Sequence, residues 1–170
     1  MKSVTRWYSD NLQQHITLAR WGHWGQPILL FPTAGGDAEE VERMHLISAI
    51  QPMIDAGRIK VYSCDSVAGK SLAEQNSSVE HRCWLLKQTG EYIVREVIPA
   101  VTADCGGQSN ELIAAGASIG AFNAVGMLCR YPSYFRAALG MSGTYDLESL
   151  LGFKGNEDTI YSFPGFGSRH

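Results

Sequence analysis

A serine between two glycines, Gly116-Ala117-Ser118-Ile119-Gly120, separates the apolar run Leu112-Ile113-Ala114-Ala115 from a helix-like run spanning Ala121 to Arg130. A serine hydroxyl is a poor nucleophile until it is presented to both a base and a carbonyl carbon. A sharp strand-to-helix turn makes that presentation by lifting the side chain out of the sheet. The glycines permit the turn, because a Cβ at 116 or 120 would strike the neighbouring strand or helix, or demand a strained φ. The same turn sets the Ile119 N–H at a helix N-terminus, where unpaired N–H groups and the helix dipole stabilise a developing oxyanion. The chemistry implied is attack by Ser118 on a carbonyl carbon.

The pattern alone is weak, since the 18 glycines of the chain and its serine content give about 0.16 matches by chance. Its context strengthens it. The motif lies where a strand must end and a helix begin, and the small residues Ala117, Ala121 and Ala124 suit close helix-to-sheet packing. A second loop, Phe31-Pro32-Thr33-Ala34-Gly35-Gly36, follows an early apolar strand. Serine hydrolases take a second oxyanion donor from a loop so placed. Thr33 or Ala34 is the candidate for that backbone N–H.

The elements that must position these groups alternate along the chain. Residues 4–8 and 15–21 read as two strands joined by the polar turn Ser9-Asp10-Asn11. Residues 27–31 form an apolar strand of the kind buried on both faces. Asp37 is placed to cap a helix running to about residue 56, with Glu39 and Glu40 favouring its positive end. Val41, Met44, Ile47 and Ile54 give that helix an apolar side, and Pro52 should kink or divide it. A strand at 59–64 precedes a long helix over about 78–102, whose residues Val79, Cys83, Leu86, Ile93, Val94, Val97 and Val101 follow the 3.6-residue period. A strand at 111–116, the helix to about 131 and a strand at 137–141 complete the pattern. Strands alternating with helices predict a mainly parallel sheet with helices on both faces and an antiparallel N-terminal hairpin at its edge. All 170 residues fit one domain.

Composition narrows the partners. The net charge is −3 and no Lys/Arg cluster occurs, which argues against nucleic acid or an anionic membrane surface. Cys64, Cys83, Cys105 and Cys129 are widely spaced, and no signal-peptide-like segment opens the chain. They read as free thiols in a reducing cytoplasm, with no metal site.

On Phe31 to Asp37, Gly116 to Ala121, Arg130-Tyr-Pro-Ser-Tyr-Phe135 and Ser142-Gly143-Thr-Tyr-Asp146, the chain resembles the α/β-hydrolase superfamily. Within it the likeness is to bacterial esterases of the esterase D or feruloyl-esterase type, over about residues 15 to 165. The resemblance implies hydrolysis of a small-molecule carboxylic ester by a Ser-His-acid triad, with no cofactor. An acyltransferase or thioesterase using the same turn, and a non-catalytic binding module, are the alternatives.

That superfamily orders its triad as serine, acid, histidine along the chain. Only His170 follows Ser118, and Asp146, Glu148, Glu157 and Asp158 lie between them. A terminal histidine is a poor base because a frayed end does not hold an imidazole in register, and Asp146, where some lipases carry the acid, reads here as the cap of a short helix at 147–151. His15, His23, His45 and His81 read as surface or packing residues, with His23 the one to check near the Phe31 loop. About 30 residues follow the sixth strand, too few for two more βα units of roughly 25–30 residues each. The expectation is therefore a partial α/β-hydrolase domain lacking its last two strands, a fragment of a longer reading frame, with an exposed sixth strand that favours a homo-oligomer.

Overall fold

Two N-terminal strands, β1 (Lys2–Ser9) and β2 (Gln14–Trp21), pair antiparallel from Lys2↔Trp21 to Ser9↔Gln14. Both strands run further than expected, so that only residues 10–13 connect them; the Ser9 hydroxyl accepts the Leu12 N–H at 3.1 Å and Gln13 turns the chain back with φ 52°. The computed structural model describes residues 1–67, 78–107, 111–143 and 145. Its further strands are β3 (Gln26–Phe31), β4 (Ile59–Cys64), β5 (Leu112–Ala117) and β6 (Phe135–Met141). They form one sheet in the order β1-β2-β4-β3-β5-β6, with β4, β3, β5 and β6 mutually parallel. β2 joins them by antiparallel pairing to β4. The mainly parallel sheet with an antiparallel edge hairpin is the architecture the sequence predicts. All six residues of β4 are buried, as a central parallel strand covered on both faces requires.

Helices lie on both faces. On one, Leu29, Tyr62, Leu112 and Ala114 of the sheet pack with Ile93, Val97, Ala124 and Met127. On the other, Trp21, Leu30, Val61 and Ala115 pack with Val41, Ile47 and Ile54. The helix expected over 37–56 is two pieces, α1 (Glu40–Arg43) and α2 (Leu46–Asp55). The break falls at His45, which is left-handed at φ 61°, while Pro52 stays inside α2. Met44, expected on the apolar side, is exposed beside this break. Asp37 accepts the Glu39 N–H at 2.9 Å, yet the helix starts three residues after it.

The long helix is α3 (Val79–Tyr92), a π-helical turn over Ile93–Val97, and α4 (Ile98–Asp104). Pro99 accounts for the wide turn: it has no N–H to give and its ring crowds the carbonyl four residues earlier. The side chains of Val79 and Cys83 lie outside the described residues; Leu86, Ile93, Val97 and Val101 are buried as the period predicts. After β5, α5 (Ile119–Arg130) returns to β6. Among the described residues β6 is a sheet edge, with Leu139 58% and Met141 49% exposed. No helix among those residues is long and apolar enough to cross a membrane.

The hairpin is tied to the helical layer by one carboxylate. Glu96 accepts from Trp7 Nε1 at 2.8 Å, Ser9 Oγ at 2.7 Å and Asn11 Nδ2 at 2.6 Å. Burial pushes the Glu96 carboxyl up, but these donors outweigh it and hold the group below its ordinary value of 4.5. A carboxylate depressed in the folded state contributes stability above its unfolded pKa and loses it as pH falls through the folded one. The urea midpoint should therefore decline as pH drops below about 4.5, and Glu96→Gln should flatten that decline. Glu96→Ala should cost about 2–4 kcal/mol at neutral pH, read by urea denaturation. An unchanged midpoint would show the tie to be energetically idle.

Candidate functional site

Parallel pairing of β3 with β5 brings Phe31 opposite Gly116, so both glycine-containing loops leave the sheet side by side. A Cβ on Gly116 would lie 2.3 Å from the Gly120 carbonyl, and one on Gly120 would lie 2.1 Å from the Phe31 carbonyl oxygen. Both distances are far inside van der Waals contact. The space between β5, the start of α5 and the end of β3 admits backbone alone.

Ser118 links β5 to α5 at φ 55°, ψ −123°. That conformation lies outside the left-handed helical well and costs a non-glycine residue about 1–3 kcal/mol. Three backbone bonds hold it: the Ser118 N–H donates to the Met141 carbonyl at 3.0 Å, and the Ser118 carbonyl accepts the N–H groups of Ala121 at 3.0 Å and Phe122 at 3.4 Å. Ile119 is the first residue of α5, so its N–H has no acceptor within the helix.

The Phe31–Gly36 loop closes as a turn in which the Gly36 N–H donates to the Thr33 carbonyl at 3.0 Å, with Gly35 at φ 100°. Positive φ at the third position is what a type II turn needs. The loop donors expected from the sequence separate here. The Thr33 N–H donates to Glu40 Oε2 at 2.7 Å and the Thr33 hydroxyl to Glu40 Oε1 at 2.6 Å. The Thr33 N–H is thus engaged by the Glu40 side chain in this structure. Ala34 is exposed at the second position of the turn, where a β-turn leaves the N–H unpaired.

A cavity of about 220 Å³ opens beside these strand ends. Val41, Leu46, Ala117 and Met141 supply apolar wall, and Thr33 and Glu40 the polar groups. Asp37 closes the loop's far end. Burial pushes its carboxyl up, but Arg43 and the N–H groups of Glu39 and Glu40 hold it below the ordinary value.

The described histidines do not converge on Ser118. His23 is not near the Phe31 loop. It lines a separate cavity of about 250 Å³ with Trp24, Gly25, Lys60 and Asp104, at the start of β3, some five residues or roughly 16 Å of strand away. His15 meets Tyr8 edge-on, His81 stacks on Trp84, and His45 is exposed at the helix break. Asp146, Glu148, Glu157, Asp158, His170 and the short helix at 147–151 lie outside the described residues. Glu40 is the site residue the sequence did not single out. Its place in a first helical turn suggests a dipole role, and only the fold shows its carboxylate turned back on Thr33.

No protein-family model matches this sequence, and no curated protein matches it. Solved structures do. The chain is similar to an S-formylglutathione hydrolase from Agrobacterium tumefaciens, with TM-score 0.68 and 12% identity over 96% of this chain and 68% of that one. A ferulic acid esterase gives TM-score 0.64 at 13% identity, over 94% and 74%. Ferric enterobactin esterase from Salmonella typhimurium gives 0.57 at 16%, over 84% of this chain and 36% of that chain. The fold is therefore that of the α/β-hydrolases, and the chain spans between about a third and three quarters of the length of these neighbours. Two of these neighbours are esterases and the third is an S-formylglutathione hydrolase.

The glycine contacts separate two substitutions one turn and a half apart on α5. Gly120→Ala should cost about 3 kcal/mol or more, since its Cβ meets backbone that has nowhere to go. Gly126→Ala meets nothing nearer than Arg130 Nη2 at 3.6 Å and should stabilise by about 0.5–1 kcal/mol. Urea denaturation of the two variants checks this, and a tolerated Gly120→Ala would show the backbone contact to be dispensable.

Proposed function

We propose that the chain carries the nucleophile and oxyanion hole of a serine esterase acting on a small-molecule carboxylic ester. The observation that carries the reading is Ser118, held at φ 55°, ψ −123° at a strand-to-helix turn that only glycine backbones allow. A residue kept in such strain by its surroundings is what a presented nucleophile requires.

In this reading the Ser118 hydroxyl attacks the ester carbonyl carbon and gives its proton to a base. The carbonyl oxygen becomes an oxyanion bound by the N–H groups of Ile119 and Ala34. Collapse of the tetrahedral intermediate breaks the ester C–O bond and releases the alcohol, leaving the acyl group on Ser118. Water repeats the sequence and frees the acid. The cavity beside Ala117 and Met141 suits a short apolar acyl group. The base and its acid partner come, on this proposal, from sequence outside the described residues, as the share of the esterase neighbours that the chain covers suggests. The thiols of Cys64, Cys105 and Cys129, all free, agree with a reducing cytoplasm.

Wild type should hydrolyse p-nitrophenyl acetate and take up a fluorophosphonate probe, and Ser118→Ala should abolish both while remaining folded. Hydrolysis or labelling that survives Ser118→Ala, or a folded wild type with neither, would overturn the proposal. Ser118→Gly should also raise stability by about 1 kcal/mol in urea, because glycine relieves the positive φ.

A further inference from the structure

We infer that Glu40 is a positioning residue for the oxyanion hole, fixing Ala34 rather than Thr33 as the donor from the Phe31–Gly36 loop; the inference rests on the esterase reading of Ser118. Three acidic residues open the helical segment, and they behave differently. Glu39 and Glu42 reach solvent and pair with Lys2. Glu40 is 8% exposed and turns towards the strand ends. Both of its oxygens are used on one residue, Oε2 by the Thr33 N–H at 2.7 Å and Oε1 by the Thr33 hydroxyl at 2.6 Å. Two bonds from one rigid carboxylate fix the orientation of the Thr33 peptide and withhold its N–H from any other acceptor.

The loop is built around this clamp. A Cβ on Gly36 would lie 2.5 Å from Glu40 Oε2, so the glycine keeps open the space that the carboxylate occupies. From the other side, the Ser66 N–H donates to the Gly36 carbonyl at 3.2 Å, and Asp65 Oδ1 accepts the Ala38 N–H at 3.1 Å. The flanks of the loop are thus fixed from two directions, and Ala34 and Gly35 remain exposed at its tip.

Charge does not explain the arrangement. A carboxylate near a developing oxyanion opposes it, so Glu40 serves the reaction through the geometry it imposes. Gly116 and Ala117 line the same cavity as Glu40, which puts the clamp within the site rather than behind it.

The experiment is steady-state hydrolysis of p-nitrophenyl acetate by the full chain, with amide hydrogen exchange at Thr33 as a readout independent of activity. Glu40→Ala and Gly36→Ala, the second displacing the carboxylate without deleting it, should each lower kcat about 10–100-fold with KM within about threefold. Glu40→Gln keeps one acceptor and should fall between these and wild type. Thr33 amide exchange should quicken at least about tenfold in Glu40→Ala while β3 stays protected. Wild-type kcat in folded Glu40→Ala and Gly36→Ala, a higher kcat in Glu40→Gln, or unaltered Thr33 exchange would each overturn the inference and leave the esterase reading standing. A wild type without Ser118-dependent turnover would instead remove the esterase reading, and the positioning role with it.

Discussion

The carbonyl oxygen of Phe31 lies where a Cβ on Gly120 would come within 2.1 Å, so the first turn of α5 rests directly on the end of β3. The rest of the site follows from this backbone contact. It sets how far α5 can rise from the sheet, and so where the chain must turn between β5 and the helix. With Gly116 packed as tightly against Gly120, the connection has room for one residue, Ser118, whose strained φ and ψ close the path. Strain of about 1–3 kcal/mol is small against the burial of β3, β4 and β5, each apolar side chain of which contributes about as much. The sheet therefore holds the serine in a conformation that a free peptide would leave.

The two faces of the sheet serve this contact differently. α5 and the α3–α4 segment cover one face, where Ala124 and Met127 of α5 pack in one cluster with Ile93 and Val97 and with Leu29 of β3. α1 and α2 cover the other face over β3 and β4. Towards β6 that second layer thins, with Leu139 and Met141 exposed among the described residues. The cavity next to Ala117 lies at this margin, bounded by α1 on one side and the end of β6 on the other. Its shape is thus set by where the helical layer stops, and its polarity by the single carboxylate of Glu40.

What the sequence revealed and concealed divides along a physical line. Strand and helix identities, their order and the turn around Ser118 were legible because each is local: apolar periodicity, glycine spacing and small residues act over a few positions. The helix break was misplaced because Pro52 is a visible signal, whereas the reversal at His45 has no local marker. Pro52 is tolerated three-quarters of the way through α2, and the chain turns instead at His45, between the Glu40 clamp and the start of α2. The π-helical turn was hidden for the same reason, since Pro99 announces a defect without saying how the helix absorbs it. The choice between Thr33 and Ala34 was open in the sequence because both are small residues of one loop. Only the fold shows that Glu40, seven residues on, engages the N–H of Thr33.

The site separates into a part that the fold determines and a part that it does not. Ser118 and Ile119 are placed by backbone contacts among β3, β5, β6 and α5, and those contacts need no titratable group. A proton acceptor is a different requirement, since it depends on a side chain reaching the serine from elsewhere. The described histidines fail on position: His23 lies at the opposite end of β3 from Phe31, and His15 and His81 are engaged with Tyr8 and Trp84 on other surfaces. Oxyanion binding and proton transfer are separable contributions, and a preformed hole retains catalytic value when the base is removed. The need for glycine at 116 and 120 is accordingly a matter of local packing, independent of which residue takes the Ser118 proton. That is why the motif is so readable while the base is not.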